Sequence, residues 1–457
     1  MPSDVATSLF QPPAPPIPAG DLSPQGLLKA IRRNALEIWP ARAYEQDHVT
    51  QTFFGGQRVL MNAPGGIEHV LLSNAANYRR SPATIRILRP IVGRGLFLSE
   101  GEDWRLQRRT IAPALAPRVI PMLAQHIVTV GGEALTRLAA EANRSVDLLA
   151  AMQLLALEVA GRSMFSVEMS RYGAAMRRMI TDFGDRLGRP YLFDMLLPPW
   201  IPTLRDLKRR RFRASWTKLL DSIIAGRQAL PSSEVPRDMF DLLRAARDPE
   251  TGQGFSEAEL RDQVSTMIVA GHETTALALF WSLYLLASAP AVQERLAEEA
   301  RDVDFTPETA GQILPQLTYA RAVVSEALRL YPPAFVIVRE AIAADSYGEV
   351  KIPAGSQVLI APWVLHRHRK LWPNPDAFDP RRFLEAASPP PRFTYLPFGV
   401  GPRVCVGAQF AMAEAVLILA MTIQRFRISR ADSTPVLPVA VVTTQPDHPA
   451  MFRLAAR

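Results

Sequence analysis

Apolar residues recur every three to four positions over 120–141, 147–166, 171–187, 206–229, 256–288, 290–302 and 316–330, and that spacing predicts helices there. Alternation with a period of two is rarer. VTQTFFGGQRVLMN near 49–62, and VKIPAG with SQVLIAP near 350–362, predict short strands. Residues 1–20, rich in proline, read as an extended lead-in. No interior stretch has a linker's composition, so residues 21–457 are expected to form a single domain. Pro332, Pro333, Pro353, Pro362, Pro373, Pro375 and Pro380 break the chain into turns, and PPPR at 389–392 opens another irregular approach. The expected fold class is mainly α with a small β region.

Composition narrows the classes of function. Hydrophobic residues make up 48% of 457, too many for a disordered chain. The formal charge is +8, carried almost wholly by arginine, with lysine only at 29, 208, 218, 351 and 370. These cations are scattered and not interleaved with aromatics, so no nucleic-acid partner is expected. The N-terminus has neither a basic segment nor an apolar core typical of a signal peptide. The most apolar run, Ala276 to Ala287, falls short of the ~20 residues that a bilayer span needs. A cytoplasmic protein without a transmembrane segment is therefore expected. Its single cysteine, Cys405, allows neither an internal disulfide nor a multi-cysteine metal site and suits a reducing compartment.

That cysteine lies in FGVGPRVCVGAQF, residues 398–410. Gly399, Gly401 and Gly407 let the backbone come close to something flat or bulky. The helix that starts after Cys405 aims its free N–H groups at the sulfur, which favours thiolate. A thiolate held there could be a nucleophile, with His366 or His368 as base, or a metal ligand. A buried inert cysteine is the simpler alternative. Two other patterns carry little weight alone. In AGHETT (270–275), Thr274 could bond back to a carbonyl while Glu273 faces solvent. Glu326 and Arg329 in EALRLYPP are i,i+3 neighbours, a pair worth only ~0.3 kcal/mol when exposed.

Phe398, Gly401, Arg403, Cys405 and Gly407 match F-x-x-G-x-R-x-C-x-G, and the chain resembles the cytochrome P450 superfamily in its soluble, bacterial form. Thiolate ligation of haem is that family's known chemistry. The resemblance implies that Cys405 is the axial ligand of heme b (iron protoporphyrin IX), with Phe398 shielding the sulfur and Gly399 and Gly407 beside the ring. It assigns Arg403, Trp104, Arg108 and Arg339 to the haem propionates. Ala270 and Gly271 would flank the site where molecular oxygen, the co-substrate, binds; Thr274 would bond that oxygen and Glu273 would relay protons. Glu326, Arg329 and Arg382 would form a structural triad, although the family usually has glutamate where this chain has Arg381.

The resemblance also implies two electrons from a separate ferredoxin or flavoprotein. Arg105, Arg109 and their neighbours are expected to form its docking patch, though Arg109 alone reads as part of a solvated face. Thr84–Phe97, Val269–Thr275, Phe335–Val338 and Val441–Thr443 are expected to line an apolar pocket for a lipophilic substrate, with Arg86 or Arg89 able to meet a carboxylate. LLPPWIPTL (196–204) is expected to be a lid, with membrane contact as the alternative. The expected function is hydroxylation or epoxidation of a lipophilic molecule. Peroxide-driven chemistry, a haem sensor and a cysteine-nucleophile hydrolase remain as alternatives.

Overall fold

The computed structural model describes residues 9–53, 56–140, 144–169, 172–191, 193–194, 197–198, 200–231, 235–384 and 388–457. Among them, the helices of ten or more residues are α1 Pro24–Arg33, α2 Pro82–Val92, α3 Gly101–Ile111, α4 Ile120–Ala140, α5 Leu148–Phe165, α6 Gly173–Asp182, α7 Leu204–Gln228, α8 Glu257–Ser288, α9 Pro290–Ala300, α10 Thr318–Leu330 and α11 Ala408–Arg425. Every helix predicted from apolar periodicity is present, and the turn beyond α6, Phe183–Leu187, winds as a π-helix. Helices α1, α2 and α3 lie outside the stretches of clear apolar periodicity, and Pro90 interrupts α2.

Helix α8 organises the rest. Its start is fixed by a capping box: the Glu259 N–H donates to the Ser256 hydroxyl at 3.4 Å, and the Ser256 N–H donates to the Glu259 carboxylate at 2.9 Å. From Thr275 to Leu286 every side chain is buried. A helix that is apolar all round must be wrapped by others. Here α5, α10 and α11 pack against it, and α2 packs against its first half. Each fully buried Leu or Phe on this segment contributes roughly 1.5–3 kcal/mol.

The β region is one sheet of five strands plus short pieces. Its members are β1 His48–Phe53, β2 Gly56–Met61, β3 Tyr78–Arg79, β4 Ile337–Ala341 and β5 Gln357–Ile360, in the order β1-β2-β5-β4-β3. The β2–β5 pairing is parallel and the others are antiparallel. Strand β4 alternates so that Arg339 and Ala341 point inward. A C-terminal hairpin, β6 Pro438–Ala440 with β7 Thr444–Pro446, returns to α8. Residues 9–20 form no helix or strand, and the Phe10 carbonyl accepts from the Phe378 N–H at 2.9 Å.

Among the described residues, Gly101–Ala140 and Leu148–Phe165 are long and apolar enough to cross a membrane by composition alone. This corrects the expectation drawn from Ala276–Ala287. Both are packed in the protein, α5 against α4 and α8, so their apolarity serves the core.

Glu326 and Arg329 are fully buried, and the guanidinium grips the carboxylate through two bonds of 2.7 and 2.8 Å. The remaining Arg329 donors reach the carbonyls of His366 (2.8 Å), Pro375 (2.6 Å) and Ala377 (2.9 Å). Arg382 joins at 3.4 Å from Glu326, while Arg381 turns to Asp379 at 2.7 Å. His366 extends the knot, because its Nε2 accepts the Leu396 N–H at 2.8 Å.

Arg329→Ala strands a buried carboxylate and three carbonyls, and is expected to cost about 3–5 kcal/mol in denaturant unfolding. Arg382→Ala, at the edge, is expected to cost less. Burial, helped by the Arg329 charge, pulls the His366 ring down to about 3. The unfolded ring takes up its proton near pH 6.5, whereas the folded one stays neutral until about 3. This contribution is therefore complete above pH 6.5 and drains as pH falls toward 3. Unfolding free energy measured from pH 7 to pH 4 should fall by up to ~1.4 kcal/mol per unit from this ring, and His366→Gln should flatten the slope.

Candidate functional site

The cysteine loop is shaped by its backbone. Gly399 and Gly401 have φ of 69° and 76°, the left-handed region. A Cβ on Gly401 would lie 2.0 Å from the Leu71 carbonyl oxygen, so only glycine fits. The Cys405 N–H donates to the Phe398 carbonyl at 2.9 Å, closing the loop, and Gly407 then caps α11 without a side-chain bond. The Cys405 side chain is exposed although protein surrounds it at depth, so it faces a hollow. Burial pushes the thiol up, against the Gly407 N–H and the Arg108 charge, which pull it down. The net direction corrects the expectation that the helix terminus alone would favour thiolate. A bound metal would supply what the helix lacks, since a coordinating thiol is deprotonated outright.

Exposure also interrupts the burial of α8. Ala270 is exposed, and Val269, Gly271, Glu273 and Thr274 are partly so, in a helix whose next two turns are wholly buried. A Cβ on Gly271 or Gly407 would meet nothing within 4 Å. Val269, Val406, Trp104, Ile85 and Leu88 border the same apolar cluster. Phe398 packs at the edge of the other large one. Thr274 does what the simpler reading allowed: its hydroxyl donates to the Ala270 carbonyl at 2.6 Å. Glu273 does not face bulk solvent. Its carboxylate accepts from the Gln445 amide on β7, which also reaches the Thr443 hydroxyl at 3.3 Å.

Above the loop lies excess positive charge. Arg403 donates to the Ser99 carbonyl at 3.0 Å, pairs with Glu100 at 2.6 Å and lies 4.5 Å from the centre of the Trp104 ring. Arg108 donates to the Val404 carbonyl at 2.9 Å. Among the described residues, the Arg339 guanidinium donates to its neighbouring carbonyl, Val338, at 3.0 Å. Burial first, then the Arg403 charge, pulls Arg339 down to about 10. Arg80, which sequence reasoning missed, is pulled down to about 9 by burial and by Arg339 and Arg403; its Nε lacks a hydrogen-bond partner and lies 3.8 Å from Glu100.

Three clustered guanidiniums thus share a single carboxylate. That imbalance fits a bound dianion, and a porphyrin bearing two propionates supplies one. The fit test for haem is met by this charge, by the exposure of Cys405 and of Ala270 on α8, and by a lone soft ligand in the loop.

Other expectations need correction. Arg105 pairs with Glu102, and Arg109 pairs with Asp248 at 2.8 Å and Glu250 at 2.9 Å, so each of these two expected docking cations has a carboxylate beside it. Arg86 is not available to a substrate carboxylate: it binds Asp206 and the Ile201 carbonyl, each at 2.6 Å. Arg89 is exposed. His366 and His368 are committed elsewhere, the latter to the Gln46 carbonyl at 3.2 Å, so neither serves as base for a cysteine nucleophile. Leu196 and Pro199, within the expected lid, lie outside the described residues.

Comparison with known proteins agrees with this geometry. The family model described as Cytochrome P450 matches residues 37–450. Cyclooctatin synthase of Streptomyces melanosporofaciens is 34% identical over 377 residues, covering 82% of this chain and 81% of that protein. Protein LUTEIN DEFICIENT 5, chloroplastic, of Arabidopsis thaliana is 32% identical over 426 residues, covering 87% of this chain and 69% of that protein. The crystal structure of the cytochrome P450DA heme domain superposes with a TM-score of 0.81 at 24% identity, covering 98% of both chains. With its fold, its cysteine loop and these likenesses in agreement, the chain belongs to the cytochrome P450 family.

Proposed function

We propose that this chain is a haem-thiolate monooxygenase that hydroxylates or epoxidises a lipophilic small molecule. The observation that carries this reading is the accessible Cys405, facing a hollow whose upper wall holds more guanidiniums than carboxylates. Residues 21–457 act as one unit. Cys405 would ligate the iron of heme b, while Arg80, Arg108, Arg339, Arg403 and Trp104 would hold the propionates. When bound, the haem supplies activation of molecular oxygen, using two electrons from a separate ferredoxin or flavoprotein, and insertion of one oxygen atom into substrate.

The chain's own residues do the rest. Apolar side chains from α2, α8 and β4 exclude water and favour lipophilic ligands. Thr274 and Glu273 place a hydroxyl and a carboxylate side by side where the hollow meets α8, a short path for protons. The related cyclooctat-9-en-7-ol 5-monooxygenase of Streptomyces melanosporofaciens and cytokinin hydroxylase of Arabidopsis thaliana carry oxygen-inserting activity in their names, which supports the reaction class. A lone cysteine and the absence of disulfides suit a cytoplasmic setting.

The reduced protein treated with carbon monoxide should show the absorption of a thiolate-ligated haem, and Cys405→Ala should abolish it. Wild-type protein purified without haem after expression with haem precursor would overturn the reading. Thr274→Ala should lower donor-driven product by about 10²-fold while peroxide-driven product persists. Equal loss in both assays would remove Thr274 from proton delivery.

A further inference from the structure

We propose that Gln445, on β7, is the positioning residue that holds the Glu273 carboxylate for proton delivery, an inference that rests on the reading of Glu273 and Thr274 given above. The Gln445 amide donates to the Glu273 carboxylate and, at 3.3 Å, to the Thr443 hydroxyl. The amide nitrogen must be the atom that faces Glu273, because an ionised carboxylate can only accept. One side chain thus bridges the acid on α8 to a hairpin 172 positions further along the chain.

The hairpin that presents Gln445 is itself fixed. Thr444 is fully buried; its N–H donates to the Pro333 carbonyl at 3.2 Å and its hydroxyl to the Pro332 carbonyl at 2.7 Å. Its own carbonyl accepts the Trp281 indole N–H at 3.0 Å. Trp281 follows Glu273 by eight residues, so the two lie on one broad stripe of α8 about two turns apart. On β6, the Pro438 carbonyl accepts from the Asn34 amide and the Ala440 N–H donates to it, each at 3.0 Å. Gln445 therefore reaches Glu273 from a rigid base, and a flexible acid side chain is held to one geometry before any reactant arrives. The donor is also of a suitable kind. A neutral amide orients a carboxylate without cancelling its charge, whereas an arginine or lysine would favour the anion more strongly and resist its protonation.

The test uses the haem-loaded full chain. Gln445→Leu removes the donor but keeps bulk, and the Thr444 anchors should preserve folding, checked by thermal unfolding. The carboxyl infrared signal that Glu273→Gln removes should titrate about one pH unit higher in Gln445→Leu than in wild type, because the ionised form has lost a donor. On the substrate used to assay Thr274→Ala, Gln445→Leu should lower donor-driven product about tenfold and spare peroxide-driven product. Gln445→Glu sets two carboxylates together, and they bridge again once they share a proton, so its turnover relative to wild type should rise as pH falls. An infrared midpoint unmoved in Gln445→Leu overturns the inference, as does equal loss in both assays or a Gln445→Glu ratio that is flat in pH. Wild-type protein without the absorption of a thiolate-ligated haem would instead overturn the reading on which the inference rests.

Discussion

The bond between Glu326 and Arg329 is the anchor on which the geometry of the site depends. Neither group could be buried alone, since an unpaired charge at zero exposure costs several kcal/mol. Paired, they commit the remaining Arg329 donors to carbonyls on the segment 366–377. From there the restraint travels through His366 to the Leu396 N–H, and from the Leu396 carbonyl to the Gly399 N–H at 3.2 Å. The next link is the Phe398 carbonyl, which holds the Cys405 N–H. A charge pair buried in α10 thus reaches the only sulfhydryl in the chain through His366, Leu396, Gly399 and Phe398. The link also explains why a neutral imidazole is needed at 366, because a protonated ring could not accept from Leu396.

A second constraint is electrostatic. The interior around Arg80, Arg339 and Arg403 carries more positive charge than Glu100 offsets, and each arginine is pulled toward giving up its proton. A dianion bound there would relieve both the repulsion and the burial. Binding of such a cofactor and folding of this region would therefore be linked, with the arginines that held the ligand also gaining stability from it.

What could be read from sequence follows the range of the interactions. Helices α4, α5, α7, α8 and α10 were legible because their apolar faces repeat locally over three or more turns. The cysteine loop was legible because its glycines are needed within ten residues, Gly401 against Leu71 above all. Pairings across the chain were not. Glu273 meets Gln445 across 172 positions, Arg109 meets Asp248 across 139, and Arg86 meets Asp206 across 120. No local pattern announces such partners, so Arg109 and Arg86 were assigned tasks that their carboxylates already fill. Arg80 went unnoticed for the same reason: only the folding of β3 beside β4 brings it to Arg339.

The hydroxyl of Thr274 has a consequence of its own. Its hydrogen is spent on the carbonyl one helical turn back, so the oxygen turns lone pairs, not a proton, away from the helix. To donate, the side chain must first rotate away, giving up a bond worth on the order of 1 kcal/mol. Only an occupant with a stronger claim than an amide carbonyl can draw it round. If Thr274 serves the reaction as proposed, this bond would act as a catch that the reactant itself must release.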